Sequence, residues 1–142
     1  MTVRGAADYR APMALTRITL TDFRNHRATR LDGAAQFNLL VGDNGAGKTN
    51  VLEALSLLAP GRGLRRAALV DIPANHGAGG FAVNAELADG VQIGTGARAD
   101  KPGRRVVQVN GAEAPAVRLG EWLSIGWLTP AMDRLFAEGA GA

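Results

Sequence analysis

The first patterned segment of the chain alternates apolar and polar residues. Between Leu15 and Asp22, Ile18 and Leu20 fall on one face, and Thr19 and Thr21 fall on the other. A period of two is typical of a half-buried β-strand. The sequence therefore predicts a strand over Leu15 to Asp22.

A short apolar run, Phe37 to Val41, is bounded by glycines and is typical of a central strand buried on both faces. A glycine-rich loop follows it directly. From Lys48 the apolar spacing changes to that of a helix, which Pro60-Gly61 ends. Strand, loop and helix are thus predicted in this order.

The second half of the chain returns to the strand period. We predict a short helix over residues 67–72, a linker over 75–80, a hairpin of 81–87 with 91–93, a strand over 105–109 turning at Asn110-Gly111, a short helix over 117–123 and a buried strand over 124–128. The predicted fold is α/β, with a mixed sheet, a helix after the glycine-rich loop and an antiparallel β portion.

Composition adds few constraints. The 142 residues suit one globular domain, which we place at 13–142, and residues 1–12 are expected to be a flexible tail, so that translation from Met13 is compatible with the pattern. The chain has no Cys, which fits a reducing cytoplasm, and no apolar stretch reaches membrane-spanning length. A net charge of +3 permits a nucleic-acid partner without requiring one.

The glycine-rich loop has the spacing G-x-x-x-x-G-K-[ST], in which each position serves phosphate binding. Its residues are Gly42-Asp43-Asn44-Gly45-Ala46-Gly47-Lys48-Thr49. Glycines let backbone N–H groups approach phosphates, and the following helix directs its positive end at the same anion. Lys48 suits the β and γ phosphates and Thr49 suits Mg²⁺. Lysine is rare here, with only Lys48 and Lys101 in the chain. We therefore predict binding of a nucleoside triphosphate, ATP, with Mg²⁺.

Four ordered blocks of the sequence resemble a known family. The loop with the residues after it, to Ala54, looks like that of ABC-type ATPases of the SMC-like group, and especially of the RecF family. The other blocks that resemble the family are residues 20–26 with Phe23-Arg24-Asn25, residues 60–65 with Gly61-Arg62-Gly63, and residues 127–136 with Leu128-Thr129-Pro130. The chain is identified by these blocks as similar to the N-terminal portion of that family.

The resemblance implies a P-loop NTPase fold of the ABC ATPase head type and a function in DNA replication and repair. It implies ATP binding by Gly42 to Thr49, with Arg24 and Asn25 either near the nucleotide or serving as turn formers. It also implies binding of single- and double-stranded DNA at gaps, nucleotide-dependent homodimers, RecO and RecR as partners in RecA loading, a link to the response to DNA damage (SOS response) and a cytoplasmic location.

The family's later motifs, an acidic Walker B strand, a signature motif and a switch histidine, are not found in this sequence. Phosphoryl transfer requires several such elements, so we expect a poor ATPase. The alternative hypothesis is a truncated, catalytically incomplete nucleotide-binding fragment without repair activity of its own. A small P-loop kinase or GTPase would need a lid or a base-reading Asn-Lys-x-Asp element, and the sequence offers neither.

Other candidates have simpler interpretations. The basic loop with Arg62, Arg65 and Arg66 either contacts DNA phosphates or is a solvated surface loop. A second basic group, expected at a hairpin tip, consists of Arg98, Lys101, Arg104 and Arg105. Trp127 is expected in the core, and neither histidine is assigned chemistry. A sheet with uncovered edges and apolar surface predicts aggregation or weak stability.

Overall fold

The computed structural model describes residues 2–5, 15–75, 77–130 and 132. Its regular elements are β1 (Thr2–Gly5), β2 (Leu15–Phe23), β3 (His26–Asp32), β4 (Asn38–Val41), α1 (Lys48–Ser56), β5 (Phe81–Leu87), β6 (Gln92–Arg98), β7 (Lys101–Val109) and β8 (Ala112–Ala114). Two short 3₁₀ segments, Leu69–Asp71 and Ala116–Glu121, complete the set. None of the helices in this part of the chain is long and apolar enough to span a membrane.

Six strands form one antiparallel sheet in the order β3-β2-β5-β6-β7-β8. The predicted hairpins are confirmed: β5 pairs with β6, and β7 turns into β8 through Asn110 and Gly111. These two turn residues have φ of 49° and 81°, as the type I′ hairpin turn requires. The sheet places the alternating apolar residues of β2 and β5 on a single face.

That face packs against α1 to make one hydrophobic core. Val51 and Ala54 of α1 belong to the same buried cluster as Leu20 of β2 and Val83 of β5. Every one of these side chains is almost fully removed from solvent, which is the main source of stability in a fold without disulfides. The predicted helix after the glycine-rich loop is therefore confirmed, and its buried face fixes the start of α1 relative to the sheet.

The predicted central position of β4 is wrong. Within the described part of the chain β4 pairs only with β1, in a separate two-stranded sheet, and Leu39 is 63% exposed. An apolar sequence allows a strand to be buried, but the strand is buried only where another element packs over it. Residues 2–5, which lie within the predicted flexible tail, form the paired strand β1, while residues 6–12 and Met13 lie outside the described residues.

Two further predictions differ from the structure. Residues 124–128 form no strand, and Trp127 is 40% exposed instead of packed in the core. Strand propensity was not enough here because no strand among the described residues pairs with this run. The expected helices at 67–72 and 117–123 are shorter 3₁₀ segments, and β3 arises in a stretch whose charged residues hide its alternation. Residues 131 and 133–136 of the last block lie outside the described part.

Candidate phosphate-binding site

The glycine-rich loop joins the end of β4 to the start of α1 and surrounds an open cavity. Gly45 and Gly47 have φ of 87° and 93°, a left-handed conformation that side chains disfavour. The loop closes on itself through the Ala46 N–H, which donates to the Asp43 carbonyl at 3.0 Å. The cavity has a volume of about 280 Å³ and is lined by Asn44, Gly45, Gly47, Lys48, Thr49 and Asn50.

The amino terminus of α1 opens into this cavity. Gly47 is the N-cap residue and offers no side chain to the first helical N–H groups. These groups and the helix dipole favour an anion at this end. Lys48 is half-buried, and its Nζ donates to the Gly42 carbonyl, which keeps the ammonium group folded over the loop. Thr49 is exposed at the second helical position.

The side chains of Asn25 and His26 contact two backbone carbonyls of the loop. The Asn25 Nδ2 donates to the Gly45 carbonyl at 3.1 Å, and the His26 Nε2 lies 3.0 Å from the Gly47 carbonyl. A Cβ at Gly47 would lie 2.4 Å from both Asn25 Oδ1 and His26 Nε2, so any other residue there would have to displace these side chains. Asn25 therefore contacts the loop, and its predicted position near the nucleotide stays a prediction. Nothing in the sequence pattern signals the contact made by His26.

Arg24 forms an ion pair with the buried carboxylate of Glu53. Its Nε and Nη2 donate to the two carboxylate oxygens of Glu53 at 2.8 and 2.9 Å, and its Nη1 donates to the Asp71 carbonyl at 3.0 Å. The hydrogen bonds to Glu53 raise the pKa of Arg24 above its ordinary value, so this guanidinium stays charged at every physiological pH. Nucleotide contact by Arg24 stays a prediction.

The basic loop that follows α1 is partly tied to the same cluster. Arg65 Nη1 lies 2.9 Å from Asn50 Oδ1 and 3.3 Å from Glu53 Oε1. Asn50 in turn donates to Asn25 Oδ1 at 2.8 Å, which links this loop to the glycine-rich loop. Arg62 and Arg66 are exposed. DNA contact by these three arginines stays a prediction.

Arg105 corrects the expectation of a wholly exposed basic hairpin tip. Arg98, Lys101 and Arg104 are exposed, but the Arg105 guanidinium reaches under the end of α1 and donates to the carbonyls of Leu57, Ala59 and Gly61 at 2.5, 3.0 and 2.6 Å. Burial lowers the pKa of Arg105 from its ordinary value. A cation at the carbonyl end of a helix is favourable, which explains why the charge is held there.

The donors present around the cavity suit a triphosphate and Mg²⁺. The loop supplies backbone N–H groups, an ammonium group and a hydroxyl, and the position of Gly47 leaves room for no side chain. Mg²⁺ bound with phosphates needs only one or two protein oxygens, because water and phosphate complete its shell. A cluster of three or more acidic or histidine ligands is not found among residues 15–75 and 77–130. Thr49 is therefore the candidate metal ligand of the loop.

The sequence is similar to several known proteins. The AAA ATPase domain family matches residues 13–75. The DNA replication and repair protein RecF of Mesorhizobium japonicum is 52% identical over 127 residues, which are 86% of this chain and 34% of that protein. RecF of Caulobacter vibrioides is 44% identical over 138 residues, covering 92% of this chain and 36% of its own length. The chain thus spans about a third of the length of these relatives.

Solved structures agree with the sequence relatives. An ATP complex of RecF, described as a recombination mediator protein of the RecFOR pathway, superposes with a TM-score of 0.65 at 31% identity over 79% of this chain and 31% of that one. A structure from work on ATP-driven dimerisation and DNA-stimulated activation of SMC ATPases has a TM-score of 0.63 at 19% identity, with 76% of each chain covered. The second likeness establishes the fold alone, a P-loop NTPase fold.

Proposed function

The chain belongs to the RecF family of DNA replication and repair proteins, matching the N-terminal part of its members, and from this premise we propose that it binds ATP with Mg²⁺ in the loop Gly42 to Thr49. The observation that carries the proposal is the strand, loop and helix order, which brings Lys48 and Thr49 to one cavity at the start of α1. The ATP complex of a RecF relative supports the choice of nucleotide.

Each group of the loop has a role in this proposal. The N–H groups at the start of α1 and the glycine backbone hold the phosphates. Lys48 leaves the Gly42 carbonyl, where its Nζ now donates, and turns to the β and γ phosphates. The Thr49 hydroxyl would hold Mg²⁺, which would offset the negative charge of the phosphates. The loop thereby neutralises a highly charged ligand without any further charged side chain.

Binding of a fluorescent ATP analogue to the 142-residue chain tests the proposal. Lys48→Ala should weaken binding by about a hundredfold or more, because an ion pair and a loop contact are both lost. Lys101→Ala is the matched control, since Lys101 is the only other lysine of the sequence and is exposed in β7. This variant should leave binding unchanged. Thr49→Val should abolish the Mg²⁺ dependence of binding. Equal affinity of the Lys48 and Lys101 variants would reject the proposal.

Hydrolysis by this chain alone is proposed to be slow. Phosphoryl transfer depends on a positioned water and on charge stabilisation from several elements, and the sequence contains neither an acidic Walker B strand nor a signature motif. This supports the second candidate, a nucleotide-binding fragment that lacks catalysis of its own. Phosphate release measured at saturating ATP distinguishes an ATPase from such a fragment. A turnover per molecule that rises with protein concentration indicates an ATPase that assembles, and the lack of any turnover indicates the fragment.

The remaining functions are proposed from the family. We propose DNA binding at gaps, nucleotide-dependent dimers, cooperation with RecO and RecR in RecA loading, and a cytoplasmic location with a part in the response to DNA damage.

The exposure of Arg62 and Arg66 supports contact with DNA phosphates. Anisotropy with a gapped duplex tests it: Arg62→Ala with Arg66→Ala should weaken binding and lower its salt dependence, whereas Arg98→Ala should do neither. Pull-down with purified RecO and RecR tests the partners.

A further inference from the structure

His26 is a buried imidazole with both ring nitrogens engaged. It is 5% exposed, and it stands where β3 begins, directly after Asn25. Its Nε2 lies 3.0 Å from the Gly47 carbonyl and its Nδ1 lies 2.8 Å from the Thr29 hydroxyl. No role of ATP or Mg²⁺ binding described above uses this ring.

The partners determine the tautomer. A carbonyl oxygen only accepts hydrogen bonds, so the hydrogen of the neutral ring must be on Nε2, which donates to Gly47. Nδ1 then accepts from the Thr29 hydroxyl, which can rotate to donate. Thr29 thus holds the ring in the orientation in which Nε2–H points at the loop.

Holding the Gly47 carbonyl fixes the direction of the next N–H. In a planar trans peptide the C=O and the following N–H point in opposite directions. The Gly47 carbonyl is held by His26 and by the first helical bond from the Val51 N–H at 3.1 Å. The Lys48 N–H therefore points away from His26, toward the cavity lined by the loop. Asn25 restrains the Gly45 carbonyl in the same way, at 3.1 Å.

We propose that His26 is a positioning residue for nucleotide binding, which through its Nε2–H holds the Gly47 peptide so that the Lys48 N–H is aimed at the phosphates before the ligand arrives. The inference rests on the proposed function, because it concerns the same loop. Its physical content is preorganisation: a loop that is already ordered loses less conformational freedom on binding. His26 itself touches no phosphate in this scheme.

A matched pair of substitutions separates the hydrogen bond from the burial of the ring. His26→Leu keeps an apolar side chain of similar size and loses the donor, whereas His26→Gln places an amide N–H close to the position of Nε2. We expect His26→Leu to weaken binding of the fluorescent ATP analogue by about tenfold, and His26→Gln to stay within about threefold of the wild type. The amide resonance of Lys48 in the nucleotide-free protein should shift strongly in the first variant and little in the second.

Controls keep a loss of folding from being mistaken for a loss of positioning. Ile93→Ala removes a buried side chain of β6. Ile93 pairs with Ala85 of β5, and Ala85 pairs with Ile18 of β2. Ile18 lies five residues along β2 from Phe23, which pairs with His26. Ile18 and Phe23 are thus about 16 Å apart at ~3.3 Å per residue. We therefore expect Ile93→Ala to lower the free energy of unfolding and to leave the affinity for the ATP analogue unchanged. If His26→Leu does not fold, Thr29→Val, which removes only the hydroxyl that orients the ring, should weaken binding by about threefold.

The possible results are distinct. If the wild-type chain does not bind the ATP analogue, the proposed function fails and the role of His26 fails with it. If the wild type binds and His26→Leu binds equally well, or if His26→Gln binds as weakly as His26→Leu, the positioning role alone is overturned. Weak binding by His26→Leu that His26→Gln restores supports it.

Discussion

Gly47 is more constrained than the other glycine of the loop with comparable backbone geometry. Gly45 and Gly47 both have a positive φ, but a Cβ at Gly45 meets nothing within 4 Å, whereas one at Gly47 would lie 2.4 Å from side-chain atoms of Asn25 and His26. Gly45→Ala should cost about 1 kcal/mol of folding stability, the strain of a left-handed residue. Gly47→Ala should cost at least ~3 kcal/mol, because collision adds to strain.

Urea denaturation of the nucleotide-free protein compares the two variants without interference from the phosphates. The midpoints should fall in the order wild type, Gly45→Ala, Gly47→Ala. Similar midpoints for the two variants would show that the side chains of Asn25 and His26 move aside for a methyl group at little cost in stability.

Glu53 is the most buried carboxylate among the described residues, at 2% exposure, and both Arg24 and Arg65 are paired with it. Glu53→Gln would leave the half-buried Arg24 without its counter-charge, and we expect a loss of about 2–3 kcal/mol in the free energy of unfolding. Glu86→Gln, which removes the charge of the partly exposed partner of Arg17, should cost clearly less than Glu53→Gln. Equal losses in the two variants, measured by urea denaturation, would contradict the importance of burial.

Sequence predicts the residues of the loop better than the residues beneath it. Gly42, Gly47, Lys48 and Thr49 are specified by a local spacing, because the phosphates are bound by consecutive backbone and side-chain groups. His26 reaches Gly47 only because β3 folds back beside β2, and that contact has no local spacing to reveal it.

At the scale of elements, α1 is held at its two ends by different parts of the sheet. Asn25 and His26 bind the loop at its start, and Arg105 of β7 donates to the carbonyls of the turn that follows its last residue. Arg105→Ala would remove a charged donor from three carbonyls, and we expect a loss of about 2 kcal/mol. Arg105→Lys should recover part of this, since one ammonium group cannot reproduce a planar fork.

Hydrogen exchange of the last-turn amides of α1 measures this effect locally. Leu57 and Leu58 N–H, which donate to carbonyls within the helix, should exchange faster in Arg105→Ala, while amides of β2 change only as far as global stability falls. Uniform acceleration across the sheet and α1 would show that Arg105 supports the whole fold and not the helix end.

The pattern of the sequence predicts elements where a neighbour within the chain completes them. β2 and β5 alternate because one face packs into the core with α1, and each has strands on both sides to pair with. The runs at 37–41 and 124–128 are also apolar, but among the described residues they are covered only in part: Leu40 and Ile125 pack against the core, whereas Leu39 and Leu128 are exposed. Periodicity gives the preference of a segment, whereas its burial depends on what lies next to it.

At the scale of the whole molecule, the exposed row of apolar side chains along β4 is the main liability. Leu39 and Val41 lie two residues apart in β4 and project from the same face of the strand, and Phe37 directly precedes the strand. Phe37, Leu39 and Val41 are 65%, 63% and 41% exposed. A short exposed strand with an apolar face promotes pairing between copies of a chain. We therefore expect this protein to self-associate as its concentration rises.

Leu39→Lys should reduce that self-association, because a charge in the centre of the row repels a second copy and opposes burial of the strand. Since Leu39 is already exposed, the free energy of unfolding should change by less than ~0.5 kcal/mol. Val117→Lys is the matched control, as it adds the same charge at another exposed apolar residue, which lies in a 3₁₀ segment. Light scattering over a range of protein concentrations should show a lower apparent mass for Leu39→Lys and the wild-type mass for Val117→Lys. Equal lowering by both would mean that net charge, and not the β4 row, controls association.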